Sequence, residues 1–227
     1  MHYALRLRIF KTYWWKVLSG VLLIYAIVMG FSIPVPDTMI QETIRNLFFH
    51  VGMWFGMLAM LTTGFIYSLR FLRTFNLKED RMAVEAVNTG ILFGILGILT
   101  GMIWANFTWG APWVNDPKLD GAAAGLLIYL AYMVLRSSVN DIKNRAKISA
   151  VYNIFAFVMW IVFVLVIPRV SGASIHPGNE DSPVLPMHLD PAMRWVFYPA
   201  MLGWILLGFW ILNLRVRINK LNGEMTA

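Results

Sequence analysis

The sequence predicts an all-α integral membrane protein: a single domain over residues 1–227, built as a bundle of six transmembrane helices with both termini cytoplasmic. Three observations predict it. Hydrophobic residues make up 59% of the 227 residues and charged residues 14%, whereas a soluble domain carries about 25% charged residues to cover its water-facing surface. Six apolar segments approach the ~20 residues that a helix needs to cross a hydrocarbon core of about 30 Å. The basic residues gather on one side of those segments.

The first span is Trp15–Ile33. Arg6, Arg8, Lys11 and Lys16 precede it as they would a secretory signal, but the apolar run is longer than a signal's and no small-x-small cleavage site follows, so it is read as a retained span. The second is Leu47–Leu69 and the third Ala83–Trp104. The fourth, Leu119–Leu135, is the shortest and has Asp120 at its start. Val151–Val170 and Trp195–Leu214 complete the set. Four glycine pairs at i,i+4 (Gly52/Gly56, Gly90/Gly94, Gly97/Gly101 and Gly121/Gly125) suit close helix packing.

Lys and Arg set the orientation. The amino terminus, the second–third connection (Arg70, Arg73, Lys78, Arg81), the fourth–fifth connection (Arg136, Lys143, Arg145, Lys147) and the tail (Arg215, Arg217, Lys220) all lie on one side. Only Arg45, Lys118, Arg169 and Arg194 lie on the other. The net charge of +7 is therefore a topology signal rather than a nucleic-acid footprint. Cysteine is absent, which excludes disulfides, thiolate metal sites and covalent heme attachment within the chain. No Gly-rich loop ending in Gly-Lys-Ser/Thr is present, so nucleotide hydrolysis is not expected here.

Function is sought in the outer loops, about 34–46, 105–118 and 171–194, which hold most of the acids with Pro, Trp and His. His50, His176 and His188 lie on or beside this face, while His2 lies at the cytoplasmic end. Any one of them alone reads as a packing residue; two from separate loops can ligate one iron from its two sides. Trp54 shares the helix face of His50 at i+4. The Trp-rich segment 104–119 carries Trp104, Phe107, Trp109 and Trp113, broken by Gly110, Pro112 and Pro117. It reads either as an interfacial belt or as a flat platform for a flat ligand. Each outer cation can meet a ligand carboxylate, but pairing with nearby acids is the expectation for Arg169. The spacing of His176 and His188 matches no standard zinc pattern, and no Ser/His/Asp hydrolase motif is present.

These residues resemble those of the cytochrome c maturation protein C family of heme-handling membrane proteins. Its tryptophan-rich outer segment is matched by Trp109, Gly110, Trp113, Asp116 and Leu119, with Asn115 and Lys118 in place of Trp and Arg. Lys keeps the charge but loses the planar fork of Arg. The string around "FFHVGMWFG" gives His50, and "HPGNEDSPVLPMHLDPAMR" gives His176 with Asp190, Pro191, Met193 and Arg194; His188 has no clear counterpart.

The resemblance implies a non-enzymatic subunit in the inner (plasma) membrane that holds heme b on the periplasmic side and presents it to a heme chaperone. Its partners would be that chaperone, an ABC-type ATPase with a further membrane subunit, and lipid. It implies His50 and His176 as axial ligands and Trp104, Trp109 and Trp113 as the platform. Lys118 and Arg194 are the candidates for the propionates, with Arg45 a weaker third, and Asp116 has an open role in orienting or docking. The competing readings are a transporter passing heme or another solute through its bundle, a membrane cytochrome, and a scaffold without heme. The first calls for mid-span charge and the second for facing histidines inside the bundle, and neither pattern is evident.

Overall fold

In the computed structural model, residues 2–35, 41–177 and 189–225 are described, with side chains over 13–35, 42–177 and 189–222. All regular structure among them is helical: α1 (His2–Ser32), a 3-10 turn (Gln41–Asn46), α2 (Leu47–Thr74), α3 (Leu77–Trp109), α4 (Pro117–Ser137), α5 (Ile142–Ile161), a π-helical segment (Val162–Val166), α6 (Ile167–Val170) and α7 (Pro191–Met225). Six helices are long and apolar enough to cross a membrane, with α5, the π segment and α6 forming one of them.

The helices outrun the segments that hydropathy marks. Tolerated polar residues and well-placed caps carry them past the apolar runs. The third span continues to Trp109, so Trp104 and Trp109 stand on its last turns and not in a loop. No helix breaker intervenes before Gly110, which closes α3 in the left-handed region (φ 77°) with its N–H on the Asn106 carbonyl. The connection from there is only 110–116. Pro117 takes the first turn of α4, where its missing N–H costs nothing. The last span likewise begins ahead of its apolar run: Asp190 accepts from Ala192 N at 2.8 Å and α7 begins at Pro191, four residues before Trp195.

α2 is the central element, packed along α3 and against α7 and α5; α1 leans on α7, and α4 pairs with α5. The core runs through Met57, Met60, Leu61, Val87, Phe93, Tyr129 and Trp160. The two ends differ in chemistry. At one, Arg136 grips Asp80 through two hydrogen bonds (2.8 and 2.7 Å), and Glu85 takes Arg215 (2.6 Å) and Asn219. At the other, the start of α2, the end of α3, the start of α4 and the end of α6 surround a cavity.

Candidate functional site

The cavity holds about 220 Å³ and its walls are mostly apolar and aromatic. His50, Trp54, Trp104, Trp109, Trp113, Lys118, Arg169 and His176 all line it. The sequence-predicted residues His50, His176, Trp104, Trp109, Trp113 and Lys118 are thus brought together from α2, α3, the 110–116 connection, α4 and the loop after α6. Asp116 and Arg194 are not in the lining. Phe107 stands 75% exposed and also lies outside it. His188 lies outside the described residues.

His50 sits in the first turn of α2, beside the last turns of α3. A Cβ on Gly101 would lie 2.8 Å from the His50 ring, so this glycine provides the space for the imidazole, beyond its general value for helix packing. His50 Nδ1 lies 3.1 Å from Thr100 Oγ1. That hydroxyl directs its own hydrogen to the Leu96 and Gly97 carbonyls, which makes Nδ1–H the donor and leaves Nε2 with its lone pair. His176 repeats the arrangement by another route. Its Nδ1 lies 3.0 Å from the Pro177 carbonyl, a group that only accepts, so Nε2 is again the free acceptor.

The two imidazole centroids are 6.5 Å apart. Two rings ligating one ion from opposite sides stand roughly 6 Å apart, with metal–nitrogen bonds of about 2.0–2.1 Å. Trp104 and Trp109 meet edge to face at 4.9 Å and lie 5.8 and 6.2 Å from the His176 ring. Burial among them, reinforced by the charge of Lys118, lowers the His176 pKa to about 3, so its imidazole is neutral and ready to ligate. Trp113 is fixed by its indole N–H, which donates to Asp120 at 3.1 Å.

Asp116 is fully buried and holds two elements together. It caps α4 by accepting from Lys118 N at 2.8 Å and Leu119 N at 3.4 Å. It also accepts from Ser174 Oγ at 3.1 Å and Ile175 N at 2.8 Å. Burial alone would raise its pKa, but these donors outweigh burial and hold the carboxyl below its ordinary value. Its bonds go to backbone and Ser174 rather than to the Lys118 side chain or an indole, so the geometry that delivers His176 passes through this carboxylate.

The cations divide differently from expectation. Arg45 donates to the Gly30 and Ile33 carbonyls and pairs with Glu42, closing the end of α1. Arg194 donates to the Leu189 carbonyl at the start of α7. Arg169, expected to pair with an acid, makes no ion pair among the described residues and faces the cavity. The signal that could have found it is position: it is the basic residue ending an apolar run, directly after a proline and seven residues before His176. Among the described residues, no group of three or more His or carboxylates could hold a metal ion.

The family model of heme exporter protein C matches residues 2–227. The chain is 26% identical to heme exporter protein C of Haemophilus influenzae over 222 residues, 91% of this chain and 83% of that one. It is also 26% identical to heme exporter protein C of Paracoccus denitrificans over 198 residues, 84% of this chain and 78% of that one. A stretch of 105 residues is 32% identical to cytochrome c biogenesis protein CcsA of Pelargonium hortorum, covering 46% of this chain but only 32% of that protein. The chain therefore spans about a third of the length of that relative.

Proposed function

The chain belongs to the heme exporter protein C family, and from that membership we propose that it is a heme-handling membrane subunit of cytochrome c maturation, which holds heme as cargo at the mouth of its bundle and passes it on. The observation that carries this reading is the pairing of His50 with His176. Their rings are 6.5 Å apart, each with Nδ1 engaged and Nε2 free, in a cavity walled by tryptophan. The donor set and the apolar walls fit a heme. Bound heme supplies an iron with two open axial positions, and His50 and His176 are the residues to fill them.

Each neighbouring residue then has a definite task. Thr100 and the Pro177 carbonyl fix the tautomers. Trp54, Trp104, Trp109 and Trp113 present apolar faces and keep water from the ring nitrogens. His176 rides on a loop held by Asp116, while His50 is fixed on a helix. A ligand of this kind can leave with its loop, which suits delivery to an acceptor better than a cofactor's permanent tenure. The role is binding and transfer, so no catalytic residue is assigned. The heme is of b type, the acceptor is a heme chaperone, and an ABC-type ATPase with its membrane subunit is the companion. The site faces the periplasm from the inner membrane.

The test is the visible spectrum of the detergent-purified protein beside His50→Ala and His176→Ala. The expected result is a low-spin Soret band in the parent that shifts or weakens in both variants. Heme indifferent to both changes would overturn the ligand assignment. No heme after loading would overturn the heme reading itself and leave the scaffold in its place.

A further inference from the structure

Two cations line the cavity, and among the described residues no carboxylate pairs with either. Lys118, at the start of α4, and Arg169, in the short α6, both line it. They lie near enough to act on one another's charge. Among the described residues neither makes an ion pair. The nearest acid, Asp116, is already bound by backbone N–H groups and by Ser174.

Arg169 is held in a definite pose. Pro168 has no N–H to give to the preceding turn, and the helix widens into the π form over Val162–Val166, with the Ile167 N–H on the Val162 carbonyl. Arg169 follows this segment and lies at the cavity wall. Its Nη1 donates to the Leu165 carbonyl at 2.7 Å. Its Nε is buried with no hydrogen-bond partner. A buried donor without an acceptor is costly and calls for an explanation. With Nη1 occupied, the Nε edge of the guanidinium is the one left over, and that edge is where a planar fork takes a carboxylate in two parallel bonds.

We propose that Arg169, with Lys118 beside it, receives a carboxylate of the bound tetrapyrrole and sets the preference for a free-acid ligand over an esterified one. This rests on the heme reading above and deepens it. Arg194, the cation that the sequence motif favours, is bound to the Leu189 carbonyl and stands outside the lining.

The experiment is a Soret titration of the purified protein with heme and with heme dimethyl ester, repeated for Arg169→Gln and Arg169→Lys. A charge-assisted pair lost from a partly buried site weakens binding by about tenfold. Arg169→Gln is therefore expected to weaken heme by about that factor, leave the diester unchanged and keep the Soret position, while Arg169→Lys recovers part of the loss. Equal weakening of both ligands, or of neither, overturns the assignment. Binding of neither ligand by the parent overturns the heme reading along with it. A Soret shift in His176→Ala with the free-acid preference kept supports separate roles for iron ligation and carboxylate recognition.

Discussion

Asp116 shows how one buried carboxylate places a residue it does not touch. Four donors converge on it, two from α4 and two from the loop that carries His176. Asp116→Asn keeps the shape but replaces one acceptor oxygen with an NH₂ group that faces donors. The loss is expected at about 1–3 kcal/mol, the cost of leaving buried donors unmet, and it falls on the link between loop and helix. The prediction is faster heme release and faster proteolysis near 171–177, with the helical circular dichroism unchanged. Release and cleavage at the parent's rates would remove Asp116 from this positioning role. The two histidines were legible in the sequence because short strings of neighbours travel with them. The place of Arg169 at the cavity was not, because no sequence signal shows which way the turn after a π segment points, and the backbone carbonyls that Arg45 and Arg194 bond leave no sequence signature.

At the scale of elements, the spans were legible from hydropathy, but their ends were set by local chemistry that hydropathy does not register. Trp109 belongs to α3 because the helix closes only at Gly110, in the left-handed region, and that extension moves Trp109 from the expected loop to a rigid helix beside Trp104. The approach of α4 to the π segment is a second case. A Cβ on Gly121 would run into the carbonyl oxygen of Phe163, a backbone atom that cannot swing aside. Gly121→Ala must therefore separate α4 from the wall that carries Arg169 and is expected to cost about 1–3 kcal/mol, as overpacking does. Gly20→Ala is the control, since nothing lies within 4 Å of the added atom. Thermal unfolding in detergent should show a lower Tm for the first variant and no loss for the second. Equal Tm values would mean that the close approach is not needed. Gly121 serves close helix packing, as its spacing suggests, but the contact is backbone to backbone, which a small-xxx-small spacing alone does not reveal.

Over the whole molecule, charge is sorted between two ends. One end closes on ion pairs, Arg136 with Asp80 and Arg215 with Glu85, in which the more exposed arginines answer buried carboxylates. The other has two cations, Lys118 and Arg169, at a cavity, and among the described residues neither makes an ion pair. Ion pairs of the first kind hold helix ends together in an aqueous or interfacial layer, and with further Lys and Arg around them that end is the one expected on the cytoplasmic side by the positive-inside bias. In the proposed orientation the cavity opens to the periplasm, where heme would be handed on. The chain's lack of cysteine makes this directly measurable. Ala173→Cys, on the exposed loop beside His176, and Ser138→Cys, on the exposed turn after α4, lie at opposite ends. A membrane-impermeant maleimide added to intact cells freed of their outer barrier is expected to modify position 173 at once and position 138 only after permeabilisation. The reverse pattern would put the heme cavity on the cytoplasmic side. It would turn the proposed donor to an outer acceptor into a receiver of heme from within, with the same histidines and the same Arg169 at work.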